Sequence, residues 1–409
     1  MSNIFGVHDD KTLAQFADVS SRAVKSALCA DGHMGYIMPI GGVAGYDNQV
    51  SVAGVGYDIA CGNCAIKTDL KMKDIFGIHI QEHEASPHLF SDNRTAIDLA
   101  NQIFSEFGFG VGGVNRSDDA PKDHPLFDQD VWNLIPNDGG LRDSLNARAR
   151  NQLGTIGSGN HYIDVFADED GWIWVGVHFG SRGLGHKIAS SFLALSQGGD
   201  WGDRGKEEEN LLSLDTPMGD DYWNLMTLAG EYAYAGREWV TRKVVEILGG
   251  NEVEMVHNHH NFAWKEEHDG RELVVVRKGS TPAFPGQKGF VGGSMGDNAV
   301  ILEGTVDVDD NTADIQSAAM FSTVHGAGRI MSRTEAKGKI TRSGVVKKKG
   351  RISQSEMDSW LRSVGVIRKG GGLDEAPQAY RRLTDVLKAQ GDTVTVLHEL
   401  RPLIVCMAP

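Results

Sequence analysis

Three glycine-rich stretches carry the side chains best suited to chemistry: Asp58-Ile59-Ala60-Cys61-Gly62, Gly157-Ser158-Gly159-Asn160-His161 and Val324-His325-Gly326-Ala327-Gly328-Arg329. Carboxylate, thiolate and neutral imidazole are the usual ligands of divalent metals, and glycine lets the main chain approach a bound group closely. Asp58 and Cys61 stand three residues apart, a spacing that puts both side chains on one face of a tight turn. His161, His178 and His260 each adjoin Gly, Asn or Ser-Arg sequences. One carboxylate, one thiolate and three imidazoles exceed the needs of one tetrahedral site, so the reading is two cations sharing Cys61. A thiolate ligand favours zinc by softness, but ligand chemistry alone leaves the metal open. His33, His186, His257, His259 and His268 are read as surface or supporting groups, and Cys29, Cys64 and Cys406 as small buried hydrophobes.

The elements that position these groups are read from periodicity. Trp172 to His178 is a strand, and the turn Gly180-Ser181-Arg182-Gly183 leads into a helix with Ile188, Phe192 and Leu195 on one face. A long helix, capped by Asp220 or Asp221, carries Leu225, Met226, Ala229, Tyr232, Ala233, Val240 and Val244 and stops at Gly249-Gly250. Leu273 to Arg277 is a strand ending in Lys278-Gly279-Ser280, followed by a run containing Gly292-Gly293-Ser294-Met295-Gly296. A helix is predicted from near Asp374, with Pro377 in its first turn and Tyr380, Leu383 and Leu387 along it. Asp118 to Pro136 reads as an excursion or surface loop.

Composition sets the outer bounds. Across 409 residues, hydrophobic content is 40% and charged content 23%, as in ordinary globular proteins. No apolar run is long enough to span a bilayer, no basic leader precedes an apolar segment, and four cysteines form no disulfide framework, so the expectation is a cytoplasmic protein with no membrane partner. The net charge of -15 argues against indiscriminate polyanion binding. Lys337 to Arg351 nevertheless holds seven Lys or Arg and no acid, which is either a local phosphate footprint or a solvated loop. Neither a dinucleotide-binding G-x-G-x-x-G after a strand nor a GKS/GKT phosphate loop is present.

Taken together, Gly54-Val55-Gly56-Tyr57-Asp58-Ile59-Ala60-Cys61-Gly62, Gln152 to His161, His178-Phe179-Gly180-Ser181-Arg182-Gly183, His260-Asn261, Gly293-Ser294-Met295-Gly296 and His325-Gly326-Ala327-Gly328-Arg329 resemble, in order and over nearly the whole chain, the RtcB family of RNA ligases. The resemblance implies an α+β fold over 1–409 as one unit, with mixed sheets surrounded by helices and a central metal and nucleotide cleft. It implies GTP- and Mn2+-dependent joining of an RNA 2',3'-cyclic phosphate or 3'-phosphate end to a 5'-hydroxyl end, with archease as a candidate activating partner. On this sequence, Asp58, Cys61 and His161 would hold one Mn2+ and Cys61, His178 and His260 the second. His325 would be the guanylylated nucleophile, with Arg182, Lys278 and Arg329 neutralising phosphate. Nucleotide contacts would come from Asn160, His161, Asp164, His260, Asn261, Gly292, Gly293, Ser294, Met295, Gly326, Ala327, Gly328 and Tyr380. Two departures stand out: Asp164 replaces a family glutamate, and the family's terminal Lys-Gly is here Ala408-Pro409, with Arg401 the nearest cation. Two rival readings use the same residues: a di-metal phosphodiesterase or phosphatase without need of His325, and an RNA-end binder that has lost turnover.

Overall fold

The computed structural model describes residues 2–206, 208–340 and 346–409. It is an α+β arrangement built on two sheets. In the larger sheet the strands run in the order Lys288–Val291, Ala299–Gly304, Val394–Met407, Tyr162–Ala167, Trp172–Phe179, Gly62–Lys71 and Glu252–His259, and Ile367–Lys369 pairs with Val394–Met407 in parallel. The five-stranded sheet runs Ser2–Ile4, Lys25–His33, Ile40–Tyr46, Arg271–Lys278, Asn261–His268. Strands such as Trp172–Phe179, dense in Trp, Ile and Val, are buried on both faces, which is why they read as continuous apolar runs.

His260 alone separates the last strand of the larger sheet from the edge strand of the smaller one. The chain crosses between sheets at that residue, and the chemistry-bearing ends of Lys25–His33, Trp172–Phe179 and Arg271–Lys278 gather round the crossing.

The expected strands and the helix after Ser181 are present, the latter spanning Arg182–Leu195. The long helix is Pro217–Leu248, but Thr216 caps it rather than Asp220 or Asp221: its hydroxyl accepts from Gly219 N at 3.2 Å, and Pro217 takes the first helical position, where no N–H is needed. Gly249 ends it at φ 79°, the left-handed conformation glycine adopts without penalty. The helix predicted from Asp374 is instead two short turns, Leu373–Glu375 and Pro377–Ala379, before an α-helix over Leu383–Gln390. The reason is main-chain pairing: Ile330 N donates to Ala379 O and Arg381 N to Gly328 O, so Tyr380 is extended. Asp118 to Pro136 is no plain surface loop, because its turns bury Leu126, Phe127, Trp132 and Ile135. In the basic run, Gly338–Ile340 pairs with Val346–Lys349, while Arg342 lies outside the described residues. Among the described residues, no helix is long and apolar enough to cross a membrane.

Candidate metal and nucleotide centre

Asp58 and Cys61 sit on one tight turn, closed by Cys61 N donating to Asp58 O at 3.0 Å. Ala60 adopts φ 59° within it, a strained value for a residue with a side chain, worth about 1–3 kcal/mol. Surrounding structure holds that strain: Ala60 N donates to Asn261 O, Ser181 N donates to Ile59 O, and Arg237 Nη1 donates to Ala60 O at 2.8 Å.

Three imidazoles meet this turn. Cys61 Sγ lies 3.2 Å from His178 Nε2 and 3.7 Å from His161 Nε2; His178 Nε2 lies 3.2 Å from His260 Nε2, and His161 Nε2 lies 2.9 Å from Asp58 Oδ2. The potential ligand atoms form two overlapping groups, Asp58/Cys61/His161 and Cys61/His178/His260, each within 4.8 Å. Both groups share the Cys61 sulfur.

The donor chemistry fits a cation centre. His161 Nδ1 faces Ile156 O at 2.9 Å and His178 Nδ1 faces Asn160 O at 3.0 Å. A carbonyl only accepts, so each Nδ1 carries the proton and each Nε2 presents a lone pair inward. Lone pairs aimed at a carboxylate and a sulfur at these distances repel unless a proton or cation lies between them. Burial drives His178 down to about 3, aided by the neighbouring His161 and His325, and drives His260 well below its usual range. Both therefore stay neutral, the form that ligates a metal. Burial opposes ionisation of Asp58, but His161, Cys61 and Arg182 together outweigh it and bring the carboxyl to about 2. Burial and the Asp58 charge push the Cys61 thiol well up, so a thiolate here requires a cation to hold it.

His325 follows the strand Ser322–Val324, its ring centroid 4.8 Å from that of His260. The buried Asp31 accepts from His325 Nδ1 at 2.6 Å, from His325 N at 3.1 Å and from Gly326 N at 3.4 Å. The ring is thereby fixed through Nδ1, leaving Nε2 as its reactive nitrogen.

A cleft of about 910 Å3 opens over this arrangement. Of the expected site residues, Asp58, Cys61, Asn160, Asp164, His178, His260, Asn261, Lys278, Gly292, Gly293, Ser294, Met295, His325, Gly326, Ala327, Gly328, Arg329 and Tyr380 line it. His161 and Arg182 are not on its walls. Arg182 Nε instead donates to Thr155 Oγ1 at 3.2 Å and Nη2 to Gly110 O at 3.3 Å, its guanidinium lying where a side chain at Gly157 would stand. Arg329 donates to Met331 O, Glu375, Asp374 O and, at 2.8 Å, the Tyr380 hydroxyl, so it buttresses the wall that Tyr380 forms. Lys278 Nζ donates to Ala53 O at 2.8 Å. Arg401 pairs with Glu84 at 2.8 Å, away from the cleft walls.

On the cleft wall Asp164 is buried, and burial pushes its carboxyl well above the ordinary range. Among the described residues, Asp164 Oδ1, Tyr162 Oη and Ser294 Oγ are buried without hydrogen-bond partners. Buried polar atoms are rarely left unpaired, so three on one wall mark where a polar ligand would bind.

Several contributing residues escape a sequence reading. Asp31 lies in Asp31-Gly32-His33, where the histidine draws attention; in the structure His33 Nδ1 lies 3.0 Å from Asp31 O and His33 lines the cleft. Arg237 is fully buried on the long helix and donates to Ala60 O, Phe179 O, His257 Nε2 and His259 Nδ1, which gives those two histidines their supporting role. A cation inside an apolar stripe was its available signal. Arg333, which bonds Glu375 and, at 3.1 Å, Asp374, also lines the cleft. Cys29, Cys64 and Cys406 are buried free thiols, as expected.

A family model described as tRNA-splicing ligase RtcB matches residues 12–408 of the chain. The chain is similar to the RNA-splicing ligase RtcB of Escherichia coli K12, at 29% identity over 92% of this chain and 88% of the relative. It is similar to the tRNA-splicing ligases RtcB of Nanoarchaeum equitans, at 30% identity over 96% and 88%, and of Archaeoglobus fulgidus, at 30% over 95% and 89%.

Proposed function

The chain belongs to the RtcB family, and on that premise we propose that it is an RNA ligase joining a 2',3'-cyclic phosphate or 3'-phosphate end to a 5'-hydroxyl end, using GTP and two Mn2+ ions. The observation that carries the reading is His325, gripped through Nδ1 by a buried carboxylate and set beside five converging ligand side chains in a nucleotide-sized cleft. A hydrolase would need the ligands but no imidazole so held.

In the proposed sequence His325 Nε2 attacks the α-phosphorus of GTP; the N–P bond forms as the bond to pyrophosphate breaks. Asp31 holds the ring in the reactive tautomer and offsets the positive charge that develops on it. The guanylyl group then passes to the RNA 3'-phosphate, breaking the N–P bond and restoring His325. The 5'-hydroxyl attacks the activated 3'-phosphorus, and GMP departs. A cyclic end is first opened by water, whose oxygen bonds to phosphorus as the P–O2' bond breaks, giving the 3'-monophosphate and a free 2'-hydroxyl. Asp58, Cys61, His161, His178 and His260 would hold the two cations, which supply charge neutralisation at the phosphoryl oxygens when bound. Lys278, Arg182 and Arg329, each held by its present hydrogen bonds, would add positive potential around the transferring groups. Asp164, Tyr162 and Ser294 would receive the polar edge of the nucleotide, with Asn160, Asn261, Met295, Tyr380 and the backbone of Gly292, Gly293, Gly326, Ala327 and Gly328 framing it. Residues 1–409 act in this reading as one catalytic unit in the cytoplasm, with archease as the candidate activator.

The test is to mix RNA bearing a 3'-phosphate with 5'-hydroxyl RNA, with and without GTP. Joined product only with GTP and Mn2+ is expected. Phosphate release without GTP and no joined product would replace the ligase with a di-metal phosphatase.

A further inference from the structure

The cleft mouth carries large exposed side chains that the chemistry above leaves without a role. Tyr36 is 64% exposed, Met34 59% and Ile330 59%, and all three line the same cleft as His325. Exposed apolar groups gathered at one opening, rather than scattered singly, mark a contact surface.

Tyr36 and Met34 belong to the connection between Lys25–His33 and Ile40–Tyr46, the first of which holds Asp31 and through it His325. That connection is braced: Gln15 Oε1 accepts from Gly35 N at 3.0 Å, and Gln15 Nε2 donates to Gly35 O at 3.1 Å. Behind Tyr36 stands Tyr57, with centroids 6.4 Å apart and rings at 89°, and Tyr57 stacks on His186 at 5.3 Å and 25°. The row of rings thus starts beside Asp58, adjacent in sequence to Tyr57, and reaches the solvent at Tyr36. Lys11 and Lys278 line the same cleft, cations suited to a phosphate backbone.

A solvent-facing ring on a braced connection, in the same cleft as two lysines and the proposed phosphoryl-transfer centre, matches the chemistry of unpaired nucleobases, whose π-faces stack on aromatic side chains regardless of base identity. We propose that Tyr36 is a stacking platform for the nucleobase at the reacting end of a single-stranded RNA. The identity of the polymer rests on the ligase reading; the platform itself rests on the exposed ring and its support.

The test is fluorescence polarisation with the full chain and two end-labelled single-stranded RNAs, one with a 3'-phosphate and one with a 5'-hydroxyl at the unlabelled end. Tyr36→Ala should raise Kd roughly 5- to 150-fold for one of the two, which also assigns the strand. Tyr36→Phe should stay within about twofold, since the ring and not the hydroxyl is used. An abasic terminal nucleotide should weaken binding to the wild type by a similar factor and add nothing in Tyr36→Ala. Unchanged affinity of Tyr36→Ala for both RNAs, or equal loss in Tyr36→Phe, overturns the platform. Wild-type labelling by GTP without RNA tests the ligase reading separately: ring-dependent RNA binding without labelling keeps the platform and sinks the ligase, and labelling without ring dependence does the reverse.

Discussion

Asp31 Oδ2 faces three donors, two of them from His325 itself, so it sets both the position and the tautomer of the proposed nucleophile. Asp31→Asn keeps the shape but presents an amide that can donate where the carboxylate accepts. The single-turnover rate of guanylylation should fall about 10²- to 10⁴-fold, with protein stability altered much less. A rate within a few-fold of wild type would make Asp31 a structural brace only. At this scale the sequence was legible where a residue's signal is local: the ligand types and their glycine neighbours stand in short motifs. Asp31 was not, because its partner is 294 residues away and no spacing rule reaches that far. Arg237 was hidden similarly, its acceptors being backbone carbonyls and imidazoles from other segments.

Elements place these groups by close approach, and Gly180 shows how. A Cβ there would overlap the carboxylate of Asp58, although the backbone itself is not left-handed, so the requirement is space beside the turn. Gly180→Ala should displace Asp58 and weaken Mn2+ binding about 10- to 100-fold by calorimetry, leaving the fold in place. Unaltered affinity would show that Asp58 is not needed for the cation. Strands and the long helix were legible because their burial is periodic or continuous. The helix start was missed because Asp220 and Asp221 compete in sequence with the Thr216-Pro217 pair that starts the helix. The segment from Asp374 was misread because its main chain pairs with Gly328 and Ile330, a tertiary demand that overrides helical spacing.

At the scale of the molecule, the site forms where two sheets meet at His260, and that junction depends on long-range register that sequence patterns do not carry. The same packing traps a neutral histidine, His83, off the cleft walls. Burial lowers His83 from 6.5 to about 4, and both its ring nitrogens lack partners among the described residues. Because the folded value lies below the unfolded one, the unfolded chain takes up the proton first as pH falls. This contribution to stability is complete above pH 6.5 and declines between 6.5 and about 4, by up to about 1.4 kcal/mol per pH unit. Urea midpoints across that window should therefore fall less steeply for His83→Gln than for wild type. Equal slopes would mean that His83 protonates without cost in the folded state.

The proposed chemistry turns on one nitrogen atom, His325 Nε2. Incubating the protein with α-labelled GTP and Mn2+, without RNA, and locating the label by peptide mass spectrometry tests it most directly. An acid-labile guanylyl group on His325, absent from His325→Ala and Cys61→Ala, is the expected result. No adduct under saturating GTP and metal, or an adduct that persists in His325→Ala, would contradict it.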